Sequence, residues 1–179
     1  AALLTRMLRS LADGHCHTVQ ILDPRIDPTH WDTVIAPRHD GLAGANVLNP
    51  LGSLNPVDDA WLADGREASP ALGELPRPRM GVLIGGPRSG IRADADYAHR
   101  LAQHLLARRR REGGSLLVLT SRRTPNAVAE VMRNAMHDVP GLMWSGPDDG
   151  PNPYPGVLGW ADRLVVTPDS VNMLSEPWQ

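Results

Sequence analysis

From Met80 onward the chain repeats one pattern, a short apolar run ending in small or glycine residues and then an amphipathic stretch. MGVLIGG (80–86) reads as a buried strand closed by a glycine pair. Residues 94–111 read as a long helix with Tyr97, Leu101, Leu105 and the aliphatic stem of Arg108 on its inner face, stopped by Gly113-Gly114. SLLVLTS (115–121) is a second buried strand. Thr124-Pro125 predicts a helix to about residue 137, with Thr as N-cap and Pro as first helical residue. Strands at 142–145 and 163–167 follow, separated by a helical turn over 156–161, and Ser170 opens a last helix that Pro177 interrupts. This alternation specifies an α/β fold with Rossmann-like, doubly wound parallel sheets. Right-handed crossovers then gather the carboxyl ends of the strands on one edge, where ligands of such sheets bind.

The first third of the chain is sparser. Residues 3–11 place Leu4, Met7, Leu8 and Leu11 on one helical face and Arg6 and Arg9 on the other, without an initiator Met or a capping residue, as in a truncated or processed start. Short strands fit 18–22 and 33–37, each closed by proline, and another fits 46–48. Residues 40–79 are rich in Gly, Pro, Asn and Ser, too long a run to lack structure inside one domain. The predicted organisation is the remainder of an N-terminal Rossmann-like domain over 1–57, a linker over 58–79 and a C-terminal Rossmann-like domain over 80–179.

All 18 basic residues are arginine and lysine is absent, a pattern that codon bias in a GC-rich genome explains. Its chemical consequence is strict: neither a Walker phosphate loop nor a pyridoxal Schiff base can be built. Anions must be held by Arg, by backbone N–H groups or by helix N-termini. A net charge of -2 gives no support for a nucleic-acid partner. Cys16 is the sole cysteine, so no internal disulfide forms, and a reducing cytoplasm is the simplest fit. The opening residues do not read as a signal peptide, and no apolar run reaches the roughly 18 residues of a transmembrane helix. Contact with a membrane surface stays open.

Four motifs fall at strand ends. Gly85, Gly86, Arg88 and Ser89 lie in GGPRSG (85–90), between a strand and a helix, where glycines let the backbone approach a phosphate. The run lacks the Lys-Ser/Thr of a Walker loop and does not match G-x-G-x-x-G, and a glycine turn serving only chain reversal explains it equally well. Ser121 and Arg122 lie in TSRRT (120–124), two hydroxyls and two guanidiniums beside a helix start, which suits an anion or a plainly capped helix. Asp169 or Ser170 caps the last helix, with Glu176 placed for ribose hydroxyls; an ordinary cap and a surface glutamate account for them too. His39 beside Asp40 offers a general base and a neighbour that raises its basicity, or a simple turn. His15-Cys16-His17 lacks a third ligand at a fitting spacing, so no metal site is predicted.

Several stretches in order (ILDPRIDPTHWDTVIAPRHD at 21–40, NVLNPLGSLNPV at 46–57, VLIGGPRSG at 82–90, LLVLTSRRTPNAV at 116–128 and NPYPGVLGWADRLVVTPDSVNMLSE at 152–176) resemble the plant and bacterial "elongated mitochondria" mitochondrial-fission family. The resemblance spans about residues 18–176 and implies a GT-B-like, glycosyltransferase-type fold, in which a nucleotide-sugar sits between two Rossmann-like domains. It implies that Gly85, Gly86, Arg88, Ser121 and Arg122 face the donor's diphosphate. Ser170 would cap the last helix against phosphate, Glu176 would hold the ribose, and His39 and Asp40 would approach from the first domain. It further implies a strand–helix segment before residue 1 and a helix beyond Glu176.

The expected function is metal-independent transfer of a sugar from a nucleoside-diphosphate sugar to a hydroxyl acceptor, with no cofactor besides that donor. The alternative is a non-catalytic scaffold of the same fold acting through protein contacts, with Trp31, Trp61, Trp144, Trp160 and Trp178 as candidate anchors.

Overall fold

The computed structural model describes residues 2–13, 15–52, 54–87, 90 and 92–168. They form two compact units that divide after Asn55. Both are α/β units built on wholly parallel sheets, as the strand–helix alternation requires.

In the first unit, helix α1 (Ala2–Leu11) precedes strands β1 (Val19–Ile21), β2 (Thr33–Ile35) and β3 (Val47–Leu48), in the order β1-β2-β3. The core is small: Trp31, Val34 and Ala36 are buried, with Leu42 and Val47 against them. Helix α1 is held to this core by polar contacts. The Trp31 Nε1–H donates to Thr5 Oγ1 at 2.8 Å, and the Arg9 guanidinium reaches the Asp32 carboxylate at 2.7 Å and the Thr29 carbonyl at 2.9 Å. The Thr18 N–H and hydroxyl also donate to Asp32, and they hold its carboxyl below the usual carboxylate range. The apolar stripe of α1 therefore faces outward, with Leu4 60% and Leu11 78% exposed. An amphipathic helix has turned its charged side to the protein because Thr5 and Arg9 find partners there.

The second unit carries α2 (Asp59–Ala68), α3 (Pro70–Gly73), β4 (Arg79–Ile84), α4 (Ala95–Glu112), β5 (Ser115–Thr120), α5 (Asn126–Met136), β6 (Gly141–Trp144), α6 (Tyr154–Trp160) and β7 (Arg163–Val166). The sheet order is β6-β5-β4-β7. Strand alternation sorts the side chains onto two faces. Met80, Val82, Ile84, Leu116 and Val118 pack with Ala98, Ala102, Leu105, Val128 and Met132 of α4 and α5. Leu83, Leu117 and Leu119 pack with Leu72, Val157 and Leu158 of α3 and α6, and Trp61, Trp144 and Trp160 lie partly buried against that layer. Helix α4 is capped by Asp94, whose carboxylate accepts from the Tyr97 N–H at 2.9 Å. Its buried face is Ala98, Ala102 and Leu105, so small residues bring it close to the sheet and Tyr97 is only partly covered.

The stretch over 58–79, expected to be a linker without regular structure, instead forms α2 and α3. Helix α2 has a sound start, with the Trp61 N–H donating to the Asp58 carboxylate at 2.8 Å. It escapes periodicity because it meets α6 through glycines rather than through an apolar stripe. A Cβ on Gly65 would lie 2.5 Å from the Pro155 carbonyl oxygen, and one on Gly156 would lie 2.3 Å from Ser69 Oγ. Four of the candidate tryptophan anchors are thus core residues to differing degrees, and Trp178 lies outside the described residues.

Two measurements check this architecture. Gly65→Ala should lower stability by about 1–3 kcal/mol in thermal or denaturant unfolding, because the clash is with backbone that cannot rotate away. Leu8→Ser should leave the melting temperature within error, whereas Trp31→Ala should cost about 3–5 kcal/mol; equal effects would contradict the outward orientation of the α1 leucines.

Candidate functional site

The chain of the second unit runs from β4 through β5 to β6, then returns to place β7 on the other side of β4. The carboxyl ends of β4 and β7 therefore flank the topological switch, the crevice where open parallel sheets bind ligands. Three turns meet there. The Gly85 N–H, directly after β4, donates to Thr167 Oγ1 at 2.8 Å, and the Thr167 N–H donates to the Leu83 carbonyl at 3.0 Å. The Ser121 N–H, directly after β5, donates to the Ile84 carbonyl at 2.8 Å. The Thr124 hydroxyl lies 2.9 and 2.8 Å from the Ile84 and Gly85 carbonyls and accepts from the Ser121 N–H at 2.9 Å.

These contacts settle two local questions. A Cβ on Gly86 would lie 2.5 Å from the Arg123 carbonyl oxygen, so this glycine is required by the approach of the two turns. Thr124 is not the N-cap of α5: that helix starts at Asn126 behind Pro125, with no capping side chain. The threonine hydroxyl is diverted from the helix to the end of β4, where it meets the Gly85 carbonyl and joins the Ser121 N–H on the Ile84 carbonyl. Ser121 Oγ accepts from the Arg123 N–H at 3.2 Å, and the Arg122 side chain is exposed beside this rim.

The structure thus brings Gly85, Gly86, Ser121 and Arg122 together at one edge. Arg88, Ser89, Asp169, Ser170 and Glu176 lie outside the described residues. His39 and Asp40 belong to the first unit, in a one-turn helix over Arg38–Asp40 that follows β2, and His39 Nε2 sits 3.5 Å from Asp40 Oδ1. That contact is long, and both residues are exposed. Among the described residues, no three His, Cys, Asp or Glu side chains gather as metal ligands would.

One polar cluster escapes sequence reasoning. The Arg133 guanidinium of α5 donates to Ser145 Oγ at 2.6 Å and to Asp149 at 2.7 Å, and Asp149 also accepts from the Ser145 N–H at 2.7 Å and hydroxyl at 2.8 Å. The Arg133 guanidinium first, then the Ser145 donors, depress the Asp149 carboxyl to about 2. Twelve or more residues separate Arg133 from its partners, and only the placement of α5 over β6 brings them together. A polar cavity of about 160 Å³ opens beside this cluster, between α5 and the ends of β5 and β6.

Fold and rim together define a Rossmann-like parallel α/β protein whose topological switch lies between β4 and β7. The family model described as Mitochondrial fission ELM1 matches residues 1–178. The Mitochondrial fission protein ELM1 of Arabidopsis thaliana is 34% identical over 194 residues, covering 94% of this chain and 45% of that protein. The chain belongs to the mitochondrial fission ELM1 family, and it spans under half the length of that curated relative. Comparison with solved structures returns no significant match. Among the described residues, no helix is long and apolar enough to cross a membrane.

Two outcomes test the site's construction. Thr124→Val should destabilise the chain by about 1–3 kcal/mol, since it removes the hydroxyl that meets the Gly85 carbonyl at the rim. The low Asp149 value also sets an acid limb. Its carboxylate contributes stability that is fully present above its ordinary value of 3.8 and is lost as pH falls toward about 2. Asp149→Asn should flatten the stability curve across that window; an unchanged acid limb would show that the cluster does not hold in solution.

Proposed function

We propose that this chain is the donor-binding part of a GT-B-like, metal-independent glycosyltransferase that moves a sugar from a nucleoside-diphosphate sugar to a hydroxyl acceptor. The observation that carries the reading is the meeting of the Gly85–Gly86, Ser121–Thr124 and Thr167 turns at the switch edge of a parallel sheet. A chain without lysine must hold a diphosphate there with Arg88 and Arg122, with Ser89 and Ser121 hydroxyls and with backbone N–H groups. In this reading Asp169 or Ser170 serves the phosphate and Glu176 the ribose hydroxyls. His39, with Asp40 beside it, accepts the acceptor's proton as the acceptor oxygen bonds the sugar's anomeric carbon. The bond from that carbon to the diphosphate breaks, and the charge passes to the leaving group that the arginines face.

Thermal shift against UDP-, GDP-, ADP- and CDP-sugars tests this reading on the longer protein to which the family relation points. At least one donor at about millimolar concentration should raise the melting temperature by mass action. Arg122→Ala should then weaken binding about tenfold or more, the cost of a charge-assisted contact. No shift with any of the four would contradict the proposal.

A second reading, a non-catalytic scaffold of the same fold, draws support from the outward leucines of α1, an exposed apolar stripe of the kind that protein partners cover. Replacing both His39 and Glu176 separates the two: an unchanged cellular phenotype favours the scaffold.

A further inference from the structure

The cavity of about 160 Å³ beside α5 is lined by Thr120, Thr124, Asn126, Ala129, Glu130, Arg133 and Ser145. Thr120 is the informative member. Leu116 and Val118 of its strand face α4 and α5, and alternation puts Thr120 on that same face, one step beyond the apolar core. It is 5% exposed, yet among the described residues nothing hydrogen-bonds its hydroxyl, and its oxygen is not sealed away from solvent. A threonine at the end of a buried strand, with its hydroxyl unused and open to a cavity, is a polar group lacking its partner.

The rest of the lining narrows what that partner is. Glu130 offers a carboxylate, Asn126 an amide that both donates and accepts, and Ser145 a hydroxyl. The Arg133 charge is already paired with Asp149, and Glu130 repels a phosphate, so among the described residues the lining carries no net attraction for one. Among the described residues Ala129 is the sole apolar lining residue and no aromatic wall is present, so a nucleobase finds nothing to stack on there. Ligand sites for drug-sized molecules run to about 300–1,000 Å³, and this cavity takes a single ring. Mixed donors and acceptors, no net attraction for anions and room for one ring describe a sugar, whose vicinal hydroxyls a carboxylate such as Glu130 binds in pairs. Thr124 joins the cavity to the rim, since its hydroxyl also braces Gly85.

We infer that this cavity is a subsite for one neutral, hydroxylated sugar ring, with the Thr120 hydroxyl and the Glu130 carboxylate as its specific contacts. The inference rests on the proposed function in taking that ring to belong to the nucleotide-sugar, and free probes let the two readings fail separately. The experiment is amide-resolved NMR of the uniformly ¹⁵N-labelled chain titrated with D-ribose, D-glucose and N-acetyl-D-glucosamine, and separately with inorganic pyrophosphate. A ring of this size at ordinary ligand efficiency binds with a Kd of about millimolar order. At least one monosaccharide should move the amides of Thr120, Asn126, Ala129 and Arg133. Thr120→Val, which keeps a strand-forming shape, and Glu130→Gln, on the exposed side, should each weaken that titration about tenfold while the remaining spectrum stays native. Unmoved cavity amides with all three sugars overturn the subsite, as does equal binding by both variants. If pyrophosphate still moves Gly85 and Gly86 in that case, the phosphate rim stands without the subsite. Cavity amides that move with a sugar while Gly85 and Gly86 ignore pyrophosphate support the subsite and count against the rim.

Discussion

The carboxyl edge of the second sheet depends on two threonine hydroxyls. Where β4 ends, the backbone leaves the ladder and its polar groups would be stranded in a nearly dry environment, at a cost of about 1–3 kcal/mol each. Thr167 meets the Gly85 N–H and Thr124 meets the Ile84 and Gly85 carbonyls, so one turn is fastened from both sides. Gly86 completes the arrangement by letting the backbone of Arg123 come near. The turn is therefore hydrogen-bonded on its protein side, and the Arg122 side chain beside it is exposed.

That construction decides how charge can be handled. With no lysine in the chain, positive charge arrives on planar guanidiniums, which bind in forks and which other carboxylates readily claim. Several are claimed already: Arg9 by Asp32, Arg77 by Asp162, Arg133 by Asp149, and Arg108 and Arg163 by Glu112. Each of these pairs ties one element to another or closes a helix end. Arg122 differs in place: it follows the end of β5, beside the turn that Thr124 fastens, and its side chain is exposed.

Much of the second sheet was legible because β4 and β5 are buried on both faces and read as continuous apolar runs. The same burial put Gly85, Gly86, Ser121 and Arg122 on one edge by topology alone. What could not be read has a common cause, contact made by something other than an apolar stripe. Helix α2 packs through Gly65, so 58–79 resembled a linker. The leucines of α1 imitate a core face, whereas Thr5 and Arg9 form the true contact through partners more than twenty residues away. Thr124 looked like a cap, but the carbonyls it serves lie about forty residues earlier. The Arg133–Ser145–Asp149 cluster and the cavity beside it likewise exist only once α5 lies over β6.

Hydrogen–deuterium exchange, followed by mass spectrometry across a series of nucleoside-diphosphate sugars, tests most directly whether this rim holds a diphosphate. Slowed exchange in peptides covering 84–92 and 120–126 is the predicted result. Exchange in those peptides that does not respond to any donor, while protection develops elsewhere in the chain, would contradict the account.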